Sequence, residues 1–248
     1  MLSKLFEKKI HQPNLQNAPD KSVDLSGSIL KFKNPPKNTP ADYEEFGGQF
    51  NLYDLAQYDS MYGHLFLTIY SSSWMFYKGL LKNFDSDRCG TFFARMMVFR
   101  PETIPSSDFS FFCEKTLRNW VHLRELKILQ ESNDQYIDDD DYPEGTFEHY
   151  LYHIPKSSSS YKMVNYSGSS WLELTPTLAK ELDKDMPIPR SYLYYIAISE
   201  HCVLRLSLVH ETSCNYILEK IIEFKEAFMN SVTLSLSEES LKQKRRFE

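Results

Sequence analysis

The chain has 248 residues, of which 42% are hydrophobic and 15% aromatic, and it contains only eight glycines. This composition can bury a large core and argues against an intrinsically disordered chain. The formal net charge of −6 disfavours non-specific binding to nucleic acid, because such binding requires clustered Lys and Arg side chains over the phosphates.

The N-terminal half of the chain predicts mainly strands. Residues 1–25 are polar and predict a flexible arm. Residues 28–33 alternate apolar and polar side chains, as a strand does, and Pro35 and Pro36 end this pattern. Further strands are predicted from the apolar runs 65–70, 74–81 and 92–99. A serine turn at 71–73 separates the first two of these runs.

Helical spacing first appears after Pro105. Ser106 or Ser107 can cap a helix there, and apolar residues then recur at helical spacing to about Lys127. The middle of the chain predicts a strand at 146–154, a hairpin of 162–166 with 171–174, and a short helix at 178–185. The C-terminal unit predicts a strand pair at 192–198 and 203–209, a helix that follows Thr212, and a strand at 231–236.

This order of elements predicts an α+β fold. Strands and helices do not alternate regularly, which favours a mostly antiparallel sheet covered by two principal helices. We expect one domain over residues 26–237, and a division into two lobes near 130–145 is the alternative. The tail at 238–248 is charged and predicts a frayed end.

The sequence contains no motif typical of an enzyme. Gly47 and Gly48 are not part of a phosphate-binding loop, and no G-x-S-x-G nucleophile motif is present. The four cysteines form no C-x-x-C pair; we expect reduced, mostly buried thiols, and a disulfide between two of them is the alternative. We therefore expect a protein that binds another protein, with no catalytic activity and no cofactor.

Two histidines provide the catalytic alternative. His149 and His153 are four residues apart, but Glu148 precedes both, so the H-E-x-x-H order of zinc proteases is absent. A metal site would need a third ligand, and we interpret the pair as a polar strand face. A metal-dependent hydrolase built on the two residues remains the alternative. For His201 and His210 we expect surface positions.

An acidic segment is the first candidate binding surface. Eight carboxylates and no Lys or Arg lie between Glu131 and His149. The segment lacks the ligand spacing of a calcium loop. It is either a solvated loop or a surface that attracts a basic partner. The acidic residues predicted to contact a partner are Asp134, Asp138, Asp139, Asp140, Asp141, Glu144 and Glu148.

An aromatic segment between residues 42 and 62 is the second candidate. Its tyrosines and phenylalanines follow no regular period and lie among carboxylates. Amphipathic tyrosines in such a setting are typical of protein-binding surfaces, and a loop packed by its own aromatic rings is the alternative. The predicted contact residues are Tyr43, Glu44, Glu45, Phe46, Tyr53 and Tyr58.

The order of strand, turn, strand, helix and strand over 190–237 resembles the end of a Mog1/PsbP-like α/β sandwich. The strand at 28–33 and the hairpin with Trp171 fit the same plan. Bacterial proteins of this appearance are often immunity proteins or effector chaperones of type VI secretion.

The resemblance implies a cytoplasmic immunity protein that binds a cognate toxin and occludes its active site, in competition between bacteria. The charge already argues against nucleic acid, and the longest apolar run, 65–70, is too short for the roughly 20 residues that span a membrane. We expect no small-molecule substrate either. A secretion chaperone or adaptor that holds an apolar effector segment is the alternative that the same resemblance implies.

Overall fold

A large antiparallel sheet forms the centre of the chain, in a computed structural model that describes residues 9–38, 46–61, 63–79, 86–137, 152–178, 190–212 and 215–247. Its strands, in spatial order, are β1 (Lys9–His11), β6 (His64–Gly79), β7 (Ser86–Pro101), β13 (Val203–Glu211), β12 (Arg190–Ala197), β10 (Ser169–Leu174) and β9 (Lys162–Tyr166). A short strand, β5 (Asp59–Met61), pairs with the start of β6.

The remaining elements form two smaller sheets and three helices within the described residues. The small sheet has the order β14 (Thr233–Ser235), β3 (Ser28–Lys33), β2 (Asp20–Leu25) and β4 (Gln49–Phe50). A two-stranded ladder pairs β8 (Tyr152–His153) with β11 (Thr177–Leu178). The helices are α1 (Glu114–Ile137), α2 (Asn215–Ser231) and α3 (Glu238–Lys244). The prediction of an α+β fold with a mostly antiparallel sheet is confirmed.

Aromatic rings fill the core between α2 and one face of the large sheet. The ring of Trp74 lies 5.6 Å from that of Phe224 and 5.8 Å from that of Phe228. Phe224 also contacts Phe92, at 5.1 Å between centroids. Phe32 of the small sheet lies 6.2 Å from Phe228. The small sheet and α2 therefore cover the same face and share one core.

Helix α1 covers the opposite face of the large sheet. Leu117 and Val121 of this helix pack against Leu172 and Tyr195 of the sheet. Because successive side chains of a strand point to opposite faces, Tyr194 belongs to the α2 core while Tyr195 belongs to the α1 core. The large sheet is therefore buried on both faces.

The α1 core also contains a buried charge network. Glu125 pairs with its neighbour Arg124, lies 3.6 Å from the guanidinium of Arg205, and accepts a 2.7 Å hydrogen bond from the Tyr195 hydroxyl. Both arginines lie over the ring of Phe99, at 3.6 and 4.9 Å from its centroid. Removing Glu125 would leave both arginines without their carboxylate, and the contact of Glu125 with Arg205 joins α1 to the sheet.

Strand β6 is longer than the sequence predicts. The runs 65–70 and 74–81 predict two strands separated by a serine turn, whereas β6 continues through the serines for 16 residues. Ser71, Ser72 and Ser73 pair with the central part of β7, and the last two are buried. The turn preference of serine is overridden here because β7, equally long, pairs along the whole strand.

Helix α1 begins later than the sequence predicts. The predicted helix covers 106–127, whereas α1 spans Glu114–Ile137. The Phe111 N–H donates a 2.8 Å hydrogen bond to the carbonyl of Glu200. This long-range bond holds the preceding segment in turns, and the helix begins only beyond it.

Both ends of the described chain contain regular structure that the sequence does not predict. The predicted flexible arm includes β1 and β2, and β2 pairs with β3 along its whole length. The predicted frayed tail includes α3, which Ser237 caps by accepting a 3.2 Å hydrogen bond from the N–H of Ser240. Neither the strands of the arm nor the helix of the tail is predicted from the sequence.

The remaining predicted elements have mixed outcomes. The strand pair, helix and final strand of the C-terminal unit are confirmed as β12, β13, α2 and β14, and the hairpin is confirmed as β9 and β10. The short helix predicted at 178–185 lies outside the described residues except for its first position, which belongs to β11. β7 pairs with β13, so strands from both sides of the lobe division at 130–145 share one sheet.

Replacing the central aromatic ring of α2 tests the core. We expect Phe224→Ala to lower the free energy of unfolding by about 3–5 kcal/mol, because it leaves a cavity beside Trp74 and Phe92. Chemical denaturation measures this loss. Leu123→Ala is the control: its side chain is 68% exposed on α1, and we expect a change within about 0.5 kcal/mol. Equal losses in the two variants would contradict this description of the core.

Candidate protein-binding surface

The structure describes only part of the two predicted binding segments. Asp134 lies in the last turns of α1, and Phe46 lies half-buried shortly before β4. Tyr53 and Tyr58 belong to a described loop. The other predicted contact residues lie outside the described part of the chain: Tyr43, Glu44, Glu45, Asp138, Asp139, Asp140, Asp141, Glu144 and Glu148.

The loop between β4 and β5 is held by local hydrogen bonds. Asp54 caps a single helical turn, Leu55–Gln57, by accepting a 3.1 Å bond from the N–H of Ala56. Its second carboxylate oxygen accepts a 3.0 Å bond from the side chain of Gln57. The Asn51 side chain accepts a 3.0 Å bond from the N–H of Tyr53. Asp and Asn favour such turns because their short side chains bond to nearby main-chain groups.

Two side chains anchor this loop to the rest of the fold. Leu52 is 1% exposed and belongs to the α2 core. Its N–H donates a 2.9 Å bond to the Ser26 hydroxyl, and its carbonyl accepts a 3.1 Å bond from the Tyr58 hydroxyl. The guanidinium of Arg100 lies over the Tyr58 ring. Burial raises the pKa of Tyr58 above its usual range, so Tyr58 stays a neutral donor.

Tyr53 and Leu55 form the outer face of the loop. Their exposed fractions are 57% and 52%, among the highest of the large apolar side chains that the structure describes. Partial burial raises the pKa of Tyr53, with smaller contributions of the same sign from Cys202 and Glu239. Tyr53 is thus partly covered by the protein and partly exposed to solvent. We call these two side chains the loop surface.

Helix α3 lies near the loop surface, since its Glu239 contributes to the raised pKa of Tyr53. Its Gln243 side chain accepts a 3.0 Å hydrogen bond from the N–H of Glu200, and Arg246, just beyond it, pairs with the Glu200 carboxylate at 3.2 Å. Leu241 and Phe247 remain 39% and 37% exposed. A pocket of about 400 Å³ lies beside the loop. It is lined by Asp24, Ser26, Gly27, Gln49, Phe50, Asn51 and Gln57.

The described histidines do not assemble a metal site. His153 is exposed, and His149 lies outside the described residues. Within the described ranges, no group of three His, Cys, Asp or Glu side chains is placed to hold a metal ion.

None of the described helices combines the length and the apolar composition needed to cross a membrane.

The expectation of a surface position for His210 is wrong. The residue is 1% exposed, and its ring stacks on Tyr192 at 5.9 Å. Neither ring nitrogen has a hydrogen-bond partner among the described residues. Burial lowers the pKa of His210 to about 4, and the nearby charges of Arg190 and Lys225 contribute in the same direction. The sequence shows only a strand end at this position, and α2 covers it.

A polar cluster extends from this histidine along α2. The buried ammonium of Lys225 lies 4.4 Å from the Tyr192 ring centroid, 3.3 Å from the Tyr194 hydroxyl and 2.7 Å from Glu226. Glu226 also accepts a 3.0 Å bond from the Tyr166 hydroxyl. Burial and this carboxylate raise the pKa of Tyr166 to about 12. The charges of Lys225 and Glu226 compensate each other, and their contacts with Tyr194 and Tyr166 position α2 on the sheet.

Sequence reasoning identified Tyr53 but missed Leu55. An isolated leucine between Asp54 and Ala56 carries no periodic signal. The available signal is the pair of turn formers Asn51 and Asp54, which predicts a tight loop but does not distinguish the buried Leu52 from the exposed Leu55.

Comparison of the chain with models of protein families, with curated proteins and with solved structures finds no match in any of the three.

The buried histidine predicts a pH dependence of stability. Its pKa is lower in the folded chain, about 4, than in the unfolded chain, about 6.5. Protonation therefore favours unfolding, and the stability that neutral His210 maintains above pH 6.5 is lost as the pH falls toward 4. Between pH 7 and pH 4.5, we expect the wild type to lose about 2 kcal/mol more than His210→Leu.

Denaturation of both chains at a series of pH values measures this difference. Parallel pH profiles for the two chains would contradict the assignment of His210 as a buried neutral group.

Proposed function

We propose that this chain is a protein-binding domain whose partner contacts the loop surface of Tyr53 and Leu55. The observation that carries this proposal is the combination of two large exposed side chains with a main chain fixed by Asn51, Asp54 and Ser26. Tyrosine supplies a large contact area with few rotatable bonds. A loop that is ordered before binding loses little conformational entropy in the complex.

The specific form of the proposal is an immunity protein of a bacterial type VI secretion system. It would bind its cognate toxin in the cytoplasm and occlude the toxin active site. Support comes from the order β12, β13, α2 and β14, which fits the resemblance to a Mog1/PsbP-like sandwich over 190–237. The net charge of −6 and the acidic residues 134–148 favour a basic partner surface.

A second candidate function is supported by an apolar cleft. The cleft has a volume of about 490 Å³ and lies between the start of α1, the β9–β10 turn and α3. Phe112, Met163, Leu236 and Leu241 are among the side chains that line it. A secretion chaperone would hold an apolar effector segment in such a cleft. An isolated N-terminal effector segment would bind a chaperone, whereas the isolated toxin domain would bind an immunity protein.

Truncating the loop surface tests the proposed function. The partner is first isolated by affinity purification from the source lysate and identified by mass spectrometry. We expect Tyr53→Ala with Leu55→Ala to raise the dissociation constant at least tenfold, since side chains at an interface centre contribute about 2 kcal/mol or more. Titration calorimetry measures this constant. Leu123→Ala, also an exposed leucine, is the matched control and should bind normally. An unchanged affinity in the folded double variant would refute the assignment of this surface.

Reversing the charge of the acidic run tests the second predicted contact. We expect replacement of Asp138, Asp139, Asp140 and Asp141 by Lys to slow association with the partner, because the electrostatic attraction that steers encounter is lost. Stopped-flow measurements at low and high salt should show that the difference shrinks as salt screens the charges. Identical association rates at low salt would remove this run from the binding surface.

A further inference from the structure

Strand β9 is a lateral edge of the large sheet. It pairs with β10 through the register Tyr166↔Ser169 to Lys162↔Glu173. The two strands are joined by Ser167 and Gly168, whose positive φ angles of 49° and 78° are typical of a two-residue hairpin turn. The register has no bulge, so the direction in which each main-chain group points follows from the alternation of an antiparallel ladder.

Two residues of β9 direct their main-chain groups away from the sheet. Tyr166 pairs with Ser169 across the tight turn, so its main-chain N–H and C=O groups form hydrogen bonds with β10. Because these positions alternate along the strand, the main-chain groups of Val164 also bond to β10. The N–H and C=O groups of Met163 and Asn165 therefore point outward. Within the described residues, no strand lies on that side of β9. Main-chain N–H and C=O groups that point away from a sheet edge form hydrogen bonds with another extended chain that pairs with this edge.

The side chains of β9 do not block this edge. Val164 and Tyr166 pack against the α2 core, and Met163 is 37% exposed on the opposite face. Proline, which prevents pairing at the edge strands of many native sheets, is absent from β9. Lys162 is the one charged side chain in β9. Its position determines which register of a paired strand is electrostatically favourable.

We propose that a second copy of this chain pairs with β9 in antiparallel orientation, about a two-fold axis at Val164. In this register, Met163 of each copy lies opposite Asn165 of the other, and both outward residues exchange hydrogen bonds. The large sheet then continues from one copy into the next. A two-fold contact closes after two copies, because each copy uses the same edge.

The charges near the edge favour this register. It places Lys162 of one copy opposite Tyr166 of the other, and the Tyr166 hydroxyl donates to Glu226 at 3.0 Å. The Glu226 side chain is 44% exposed and accessible to an ammonium group. Symmetry repeats this attraction at the other end of the contact. A register centred on Lys162 would instead bring two lysines together, which is unfavourable across strands.

Removing one outward donor tests the pairing. Asn165→Pro eliminates an N–H that points away from β10 and places the proline ring on the outer side, so the hairpin bonds of β9 remain. Asn165→Ala keeps the N–H and is the matched control. Sedimentation velocity from micromolar to millimolar chain concentration should show dimers for the wild type and Asn165→Ala, and monomers for Asn165→Pro. Circular dichroism verifies that each variant is folded.

A second variant covers the case in which the proline substitution unfolds the hairpin. Lys162→Glu places a carboxylate near Glu226 of the other copy, and we expect the dimer dissociation constant to rise about tenfold. Lys156→Glu makes the same charge change at an exposed position before β9 and should leave dimerisation unchanged.

Amide hydrogen exchange resolved by residue identifies the paired edge. The amides of Met163 and Asn165 should gain protection as the concentration rises, whereas those of Val164 and Tyr166 should be protected throughout. A chain that stays monomeric at millimolar concentration would overturn the proposal, as would a dimer in which these two amides remain unprotected. Either result is obtained without the partner, so it leaves the proposed function of the loop surface to its own test.

Discussion

Both faces of the large sheet are covered, by α2 and the small sheet on one side and by α1 on the other, so its central strands must carry apolar side chains in both directions. Strand β7 shows the consequence: Met96 and Val98 enter one core while Met97 and Phe99 enter the other. Burial on both faces requires near-continuous apolar runs, such as residues 92–99 of β7. The position of every other element follows from the face it covers.

This constraint also explains how much of the fold the sequence predicts. The C-terminal strands and α2 are predicted well, because their turn and their helical spacing are local features. The long β6 and the late start of α1 are not, since they depend on pairing with β7 and on the bond from Phe111 to Glu200. The pairing of Glu125 with Arg205 is likewise invisible in sequence, because 80 positions separate the two residues.

In the candidate site, too, some features are predictable from local sequence and others depend on contacts with distant residues. Tyr53 is predictable because it is an aromatic residue in an acidic, aperiodic segment. Tyr58 lies in the same segment, yet its hydroxyl bonds to Leu52 and its ring lies beneath Arg100. Which tyrosine faces outward is decided by Arg100 and Ser26, residues far away in the chain. The sequence therefore locates the loop but cannot assign the roles of its residues.

The loop separates the residues that hold it from the residues that it presents. Leu52, Tyr58 and Asp54 maintain its conformation, whereas the side chains of Tyr53 and Leu55 project outward and take no part in the core clusters. The two outer positions therefore contribute little to folding. Substitutions at these two positions would therefore change the surface that the loop presents while leaving the free energy of unfolding nearly unchanged.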